Sequence, residues 1–156
     1  MPRTISRVYL ALRPVQMLLH ALVSPVNLGV RALAEDADGR VLLVWHSYVD
    51  GWHFPGGGAD RGEHPADAVL RELREEVGLV KSAAPELLGV YVHKVLWMSS
   101  VALFYRVRDV EIDFKPNLEI RAVKFARPEE LPPGTGRGVR RRLAEFLRGE
   151  PVSKEW

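Results

Sequence analysis

The sequence predicts an α/β domain, and three observations predict it. Short β-rich runs such as VLLVWH (41–46) and IRAVKFA (120–126) recur along the chain. The stretch from Pro65 to Val77 carries apolar residues at helical spacing, and a second stretch, RGVRRRLAEFLRG, does so near the C-terminus. At 156 residues, 47% hydrophobic and 27% charged, the chain suffices for one compact domain with a sizeable core. It contains no cysteine, which excludes a disulfide framework and any thiolate metal site, so a metal here must be held by oxygen or imidazole. The absence of cysteine is compatible with a reducing compartment, and the cytoplasm is the expected location. Net charge is only +2, so the arginine content is a weak argument for nucleic acid, and no DNA partner is expected.

Residues 1–25 read as a basic, apolar, helical arm. Up to Glu35 the chain has Arg3, Arg7, Arg13 and Arg31 and no acid, and Arg13-Pro14 interrupts the apolar run well short of the roughly 20 residues a membrane span needs. Three readings of the arm stay open: packing on the domain or on a second copy of the chain as a homodimer, contact with a membrane surface, or a cleaved targeting peptide.

The main domain is expected over residues 26–150, with 151–156 as a C-terminal tail. GVRALA and VLLVWH flank the Asp38-Gly39 turn signal and read as a hairpin. Gly51 to Gly62, with five glycines and Pro55, is a loop that lets backbone approach a ligand closely. Pro65 suits the first turn of a helix, Asp67 sets an acid near its start, and Gly78 stops it. ELLGVYVHKVL, VALFYRVRDV and IRAVKFA read as strands. After a proline-marked loop, the last element is an amphipathic helix with Val139, Leu143, Phe146 and Leu147 as its apolar stripe.

The helix from Pro65 packs through Ala66, Val69, Leu70, Leu73 and Val77. With Glu72 at zero, about 100° per residue puts Glu76 at about 40° and Glu75 at about 300°, so three carboxylates share one face. Like charges at this spacing repel by roughly 0.2–0.5 kcal/mol per exposed pair. Arg71, four residues before Glu75, offsets part of this, so a solvated, salt-bridged face is one reading. A hard divalent cation between the carboxylates is the other.

The spacing separates the two readings. Gly57, Glu63, Arg71-Glu72-Leu73, Glu75-Glu76 and Gly78-Leu79 fill every specified position of the pattern G-x5-E-x7-R-E-U-x-E-E-x-G-U, with U apolar. Seven fixed residues at roughly 7% usage each make a chance match about a one-in-a-million event. The sequence therefore resembles the Nudix hydrolase superfamily from about Val26 onward, with Trp52-His53-Phe54-Pro55-Gly56-Gly57 similar to the family's approach to its box.

That resemblance implies a Nudix-type α/β/α sandwich around a mixed β-sheet. It implies a metal-dependent pyrophosphohydrolase that cuts a phosphoanhydride in a nucleoside diphosphate linked to another group, with Mg2+ or Mn2+ as cofactor and a small nucleotide as substrate. Carried over by position, Glu72, Glu75 and Glu76 hold the metal with the Gly57 carbonyl, Glu63 supports the loop or the metal shell, and Arg71 orients Glu75. The general base is Glu72 or Glu119, with Glu72 ahead; an ordinary surface residue is the plain alternative for Glu119. Which residues bind the substrate is left unknown.

Other residues have plainer readings. Trp52 and Phe54 suit stacking on a base, but a core role is commoner. Trp45, His46, His93 and Trp97 have no motif behind them. His53 and His64 suit structural or surface roles, since Mg2+ disfavours imidazole. Arg137, Arg140, Arg141 and Arg142 are a solvated helix face or a phosphate contact. Two other functions stay open: a nucleotide-binding module of the same fold that does not cut, and an RNA 5′-end pyrophosphohydrolase whose basic C-terminal helix tracks the backbone.

Overall fold

A computed structural model describes residues 26–95, 98–153 and 156, so the N-terminal arm and Trp97 lie outside the described residues. Its elements are β1 (Val26–Ala34), β2 (Val41–His46), β3 (Trp52–His53), α1 (Pro65–Val77), β4 (Leu79–Lys81), β5 (Glu86–Val95), β6 (Met98–Val107), β7 (Glu111–Ile112), β8 (Ile120–Ala126) and α2 (Arg137–Arg148). Among them, β1, β6 and β5 form one sheet in that order, β3, β2 and β8 a second, and β4 pairs with β7. β1 runs parallel to β6, and the other pairs are antiparallel, which gives the mixed arrangement expected.

Alternation along two strands builds the sandwich. Val30, Ala32 and Ala34 of β1 and Leu42 and Val44 of β2 pack with Val69, Leu73 and Val77 of α1. Their neighbours Leu33, Val41 and Leu43 point to the opposite face and pack with Val139 and Leu143 of α2. Each helix thus covers one face of the strand layer, and α1 follows the predicted bounds. Its first turn is capped by His64, whose Nδ1 accepts from the Ala66 amide at 3.3 Å, and its end by Gly78 in the left-handed region (φ 69°), whose N–H bonds Arg74 and Leu73 carbonyls. Of the stripe predicted for α2, Leu147 is exposed.

The predicted hairpin of β1 with β2 does not form. The turn is present, with Gly39 at φ 72° and its N–H on the Asp36 carbonyl, but beyond the Asp36–Arg40 bond the two strands form no ladder, only the isolated Glu35–Val41 bridge past the end of β1. The reason is competition for the edge of β1. The glycine loop takes it: the Val30 amide donates to the Gly57 carbonyl, the Ala32 amide to Pro55, and the Ala59 amide to Leu28, each at 2.9 Å. β2 instead lies between β3 and β8. This displacement fixes the loop against the sheet, directly beside α1.

Candidate active site

The site is the junction of the docked loop with the inward side of α1. Glu76 is buried, and its Oε2 accepts from the Gly56 amide at 2.8 Å, so the loop backbone holds the carboxylate. Burial pushes the Glu76 carboxyl up to about 7, with the Gly56 hydrogen bond opposing the shift and Glu72 adding to it. Glu72 is raised as well, by burial first, against the pull of Arg71. The predicted single face of three carboxylates therefore splits by depth: the side chain of Glu76 is 4% exposed, that of Glu72 12%, and that of Glu75 60%. Helix angle alone could not show this, because the loop, not α1, covers Glu76.

Gly57 makes room for Glu72. A side chain at position 57 would stand 2.5–2.6 Å from the Glu72 carboxylate, so the pocket around that group exists only because the residue is glycine. Arg71 organises the outer rim. It binds Glu63 through two bonds of 2.9 Å, donates to the Gly58 carbonyl at 2.8 Å, and reaches Glu72 at 2.9 Å and Glu75 at 3.2 Å. Glu63 also accepts from the Asp60 amide, and Arg71 followed by that amide holds its carboxyl down to about 2. Both Glu63 oxygens are thus committed within the loop, which favours support of the loop over a place in the metal shell.

Three neighbours carried no motif in the sequence. Arg31, counted there only as charge, donates to the Val30 carbonyl at 2.9 Å and approaches the Gly57 carbonyl at 3.4 Å, and its charge acts on Glu76 and Glu72. Burial lowers its pKa, consistent with a guanidinium packed against the sheet. His46 Nδ1 lies 3.9 Å from Glu76 Oε1, too far for a hydrogen bond, and has no hydrogen-bond partner among the described residues. Burial, then His53 and Arg31, depress the His46 pKa, so the ring does little to offset the Glu76 charge, which Arg31 opposes only in part. Asn117 donates to the Glu76 carbonyl at 3.2 Å and accepts the Glu119 amide at 2.9 Å. It thereby brings the loop bearing Glu119 to the end of α1. Glu119 is exposed, and its charge reaches Glu76. Only register and loop contacts could have found these three.

The remaining candidates sort as follows. Phe54 is core, its ring centre 4.9 Å from that of Phe104 and tilted by 52°, and Trp52 meets Trp45 edge-on at 5.4 Å. His53 bonds the Asp50 carbonyl at 3.0 Å. Arg142 is the correction to the solvated arginine face: it is fully buried, lies 3.9 Å over the Tyr91 ring and pairs with Glu145 at 2.9 Å. Its three arginine neighbours on α2 do not share that burial.

Glu72 and Glu76 offer the oxygens of carboxyls whose pKa burial raises, which suits a hard divalent cation, and the nearest imidazole nitrogen, His46 Nδ1, stands 3.9 Å from Glu76 Oε1. Among the described residues no three acidic or imidazole side chains already converge as a cage.

A model of the NUDIX domain matches residues 25–147. An RNA pyrophosphohydrolase of Halorhodospira halophila is 47% identical over 53 residues, 34% of this chain and 28% of that protein. The chain thus spans under a third of the length of such curated relatives. Among solved structures, a MutT NUDIX hydrolase of Burkholderia pseudomallei superposes with TM-score 0.67 at 26% identity, covering 78% of this chain and 98% of that one. A UDP-X diphosphatase superposes with TM-score 0.67 at 22% identity, covering 94% of this chain and 72% of that one, a likeness of fold alone.

Proposed function

The chain belongs to the NUDIX domain family, and on that premise we propose that it is a metal-dependent pyrophosphohydrolase acting on a small nucleotide, a nucleoside diphosphate joined to another group. The observation that carries the reading is the buried Glu76 held by the Gly56 amide, next to a Glu72 for which Gly57 leaves space. A Nudix fold that only bound nucleotide would have no need to keep two carboxylates in so costly a place.

The residues that would hold a divalent cation, Mg2+ or Mn2+, are Glu72 and Glu76, and Glu75 at the exposed rim; the Gly57 carbonyl, expected as a further ligand, already accepts the Val30 amide at 2.9 Å. Such an ion, when bound, supplies positive charge against the pyrophosphate and makes water more acidic. Arg31 offers a second positive charge to the substrate phosphates from the β1 side. Glu72 accepts the proton of the attacking water; its raised pKa and its contact with Arg71 suit a base that is ionised yet basic enough to act. Arg71 fixes Glu63, and with it the loop whose backbone lines the site.

Glu119 is the competing base. Its exposure and its place beyond Asn117 favour a supporting role, so Glu119→Gln is expected to retain kcat within about threefold, whereas Glu72→Gln loses about a hundredfold or more. Rates at saturating substrate check this, and the reverse ranking would move the base to Glu119.

A second reading, an RNA 5′-end pyrophosphohydrolase, is favoured by the relatives of that name. Turnover of ADP-ribose, dinucleotides and nucleoside triphosphates against that of a 5′-triphosphorylated oligonucleotide, each with Mg2+ or Mn2+ and a Glu76→Gln control, separates the two. Folded wild-type protein that cuts none of them would sink both readings. The cytoplasm remains the proposed location; among the described residues no helix is long and apolar enough to cross a membrane.

A further inference from the structure

A cavity of about 230 Å³ lies between β1, β3 and the first turn of α2, and Arg31 is part of its wall. The same Arg31 approaches the Gly57 carbonyl and acts electrostatically on Glu76 and Glu72, so one side chain is shared between the cavity wall and the surroundings of the carboxylates. His53, Phe54, Arg137 and Trp156 line the cavity as well. Trp156 is the unexpected member. It lies in the tail, beyond the residues 25–147 that the NUDIX domain model matches.

The indole of Trp156 is set by packing. It meets Tyr91 and Phe104 edge-on, each at 5.5 Å between ring centres, and the Arg142 guanidinium lies 5.6 Å from its ring. Ser153 anchors the tail through its amide on Glu145 at 3.0 Å. Gly138 of α2 has no side chain where the indole passes; a Cβ there would stand 3.5 Å from Trp156 Nε1. The ring is nevertheless only half-buried, and part of it faces the cavity. A half-buried aromatic ring lining a space with two arginines is a surface for a flat ring joined to phosphate.

Resting on the hydrolase reading above, we propose that Trp156 is a specificity-determining residue: the C-terminal tail forms one wall of a substrate subsite, and the indole takes the planar base of the nucleotide while Arg31 and Arg137 face its phosphates. The assignment gives the tail a task that the shared Nudix pattern does not cover. It also makes base preference a property of Trp156 and not of the box.

The test is steady-state kinetics on the nucleotide that wild type cuts best, with Trp156→Ala, Trp156→Leu and Phe146→Leu. Trp156→Leu keeps apolar bulk against Tyr91 and removes the ring face. Phe146 packs 5.7 Å from Phe104 in the same aromatic group without lining the cavity, so its variant reports loosened packing alone. Both Trp156 variants are expected to raise KM about ten- to hundredfold with kcat within about threefold, and Phe146→Leu to leave KM within about twofold. A KM unchanged in Trp156→Leu, or raised equally by Phe146→Leu, overturns the proposal while the hydrolase reading stands. A folded wild type that cuts no nucleotide overturns that reading and this proposal with it.

Discussion

Glu76→Gln is expected to lower turnover by on the order of 10²–10³ while making the metal-free protein more stable at pH 8. The loss of rate follows from removing a charge beside the reacting phosphates, where several kcal/mol of transition-state stabilisation is at stake and each 1.36 kcal/mol is tenfold. The gain in stability follows from burial. The folded-state pKa of Glu76 is raised from 4.5 to about 7, so between these values the folded protein binds more protons than the unfolded chain, and stability falls as pH rises. Below about 4.5 the group costs nothing. Above about 7 its full cost, on the order of 3 kcal/mol, is present. Glutamine keeps the acceptor for the Gly56 amide and removes the charge. Melting curves in chelator from pH 4.5 to 8 should therefore fall for wild type and run flatter for Glu76→Gln. Adding Mn2+ at pH 8 should raise the wild-type melting temperature and leave the variant nearly unmoved. Parallel curves in chelator would remove the claim that burial makes the Glu76 charge costly.

That cost explains why parts of the site were legible in the sequence and parts were not. Glu63, Arg71, Glu72, Glu75 and Glu76 stand at fixed spacing on one loop and one helix, so their grouping follows from local geometry, and Pro65 and Gly78 marked the helix ends because each acts on its own backbone. Depth is not local. Whether Glu76 is buried depends on a loop that docks 20 residues earlier in the chain, and the docking depends on β1 giving its edge to Gly57 and not to β2. A turn signal between two β-rich runs cannot distinguish these partners, since both satisfy the same amides. Arg31, His46 and Asn117 were invisible for the same reason. Their roles come from strands and loops distant in sequence, and Arg142, in a run that reads as solvated, is buried only because Tyr91 and Glu145 meet it there.

The three consecutive glycines at 56–58 should give three different results when each is changed to alanine. Gly56 has φ 134°, a conformation that L residues rarely adopt, and a Cβ there would fall on the Val30 carbonyl oxygen and within 3.0 Å of the Arg31 Cα. Neither neighbour can yield, because the Val30 amide is bonded to Gly57 and the Ala32 amide to Pro55. Backbone strain of about 1–3 kcal/mol and a similar cost of overpacking add to a loss of about 2–6 kcal/mol, a large share of the roughly 5–15 kcal/mol that holds a domain folded. Gly57→Ala meets a different obstacle, the Glu72 carboxylate, which is the end of a flexible side chain and can swing aside. The fold should survive with a loss of about 1 kcal/mol, and activity should fall with the displaced carboxylate. Gly58 has nothing within 4 Å of its Cβ direction, so Gly58→Ala should leave both stability and rate near wild type. Thermal melts beside initial rates read all three variants. A Gly56→Ala protein melting within about 2 °C of wild type would contradict the docked loop, and a Gly57→Ala enzyme at full rate would show that Glu72 does not act from the position that glycine leaves open.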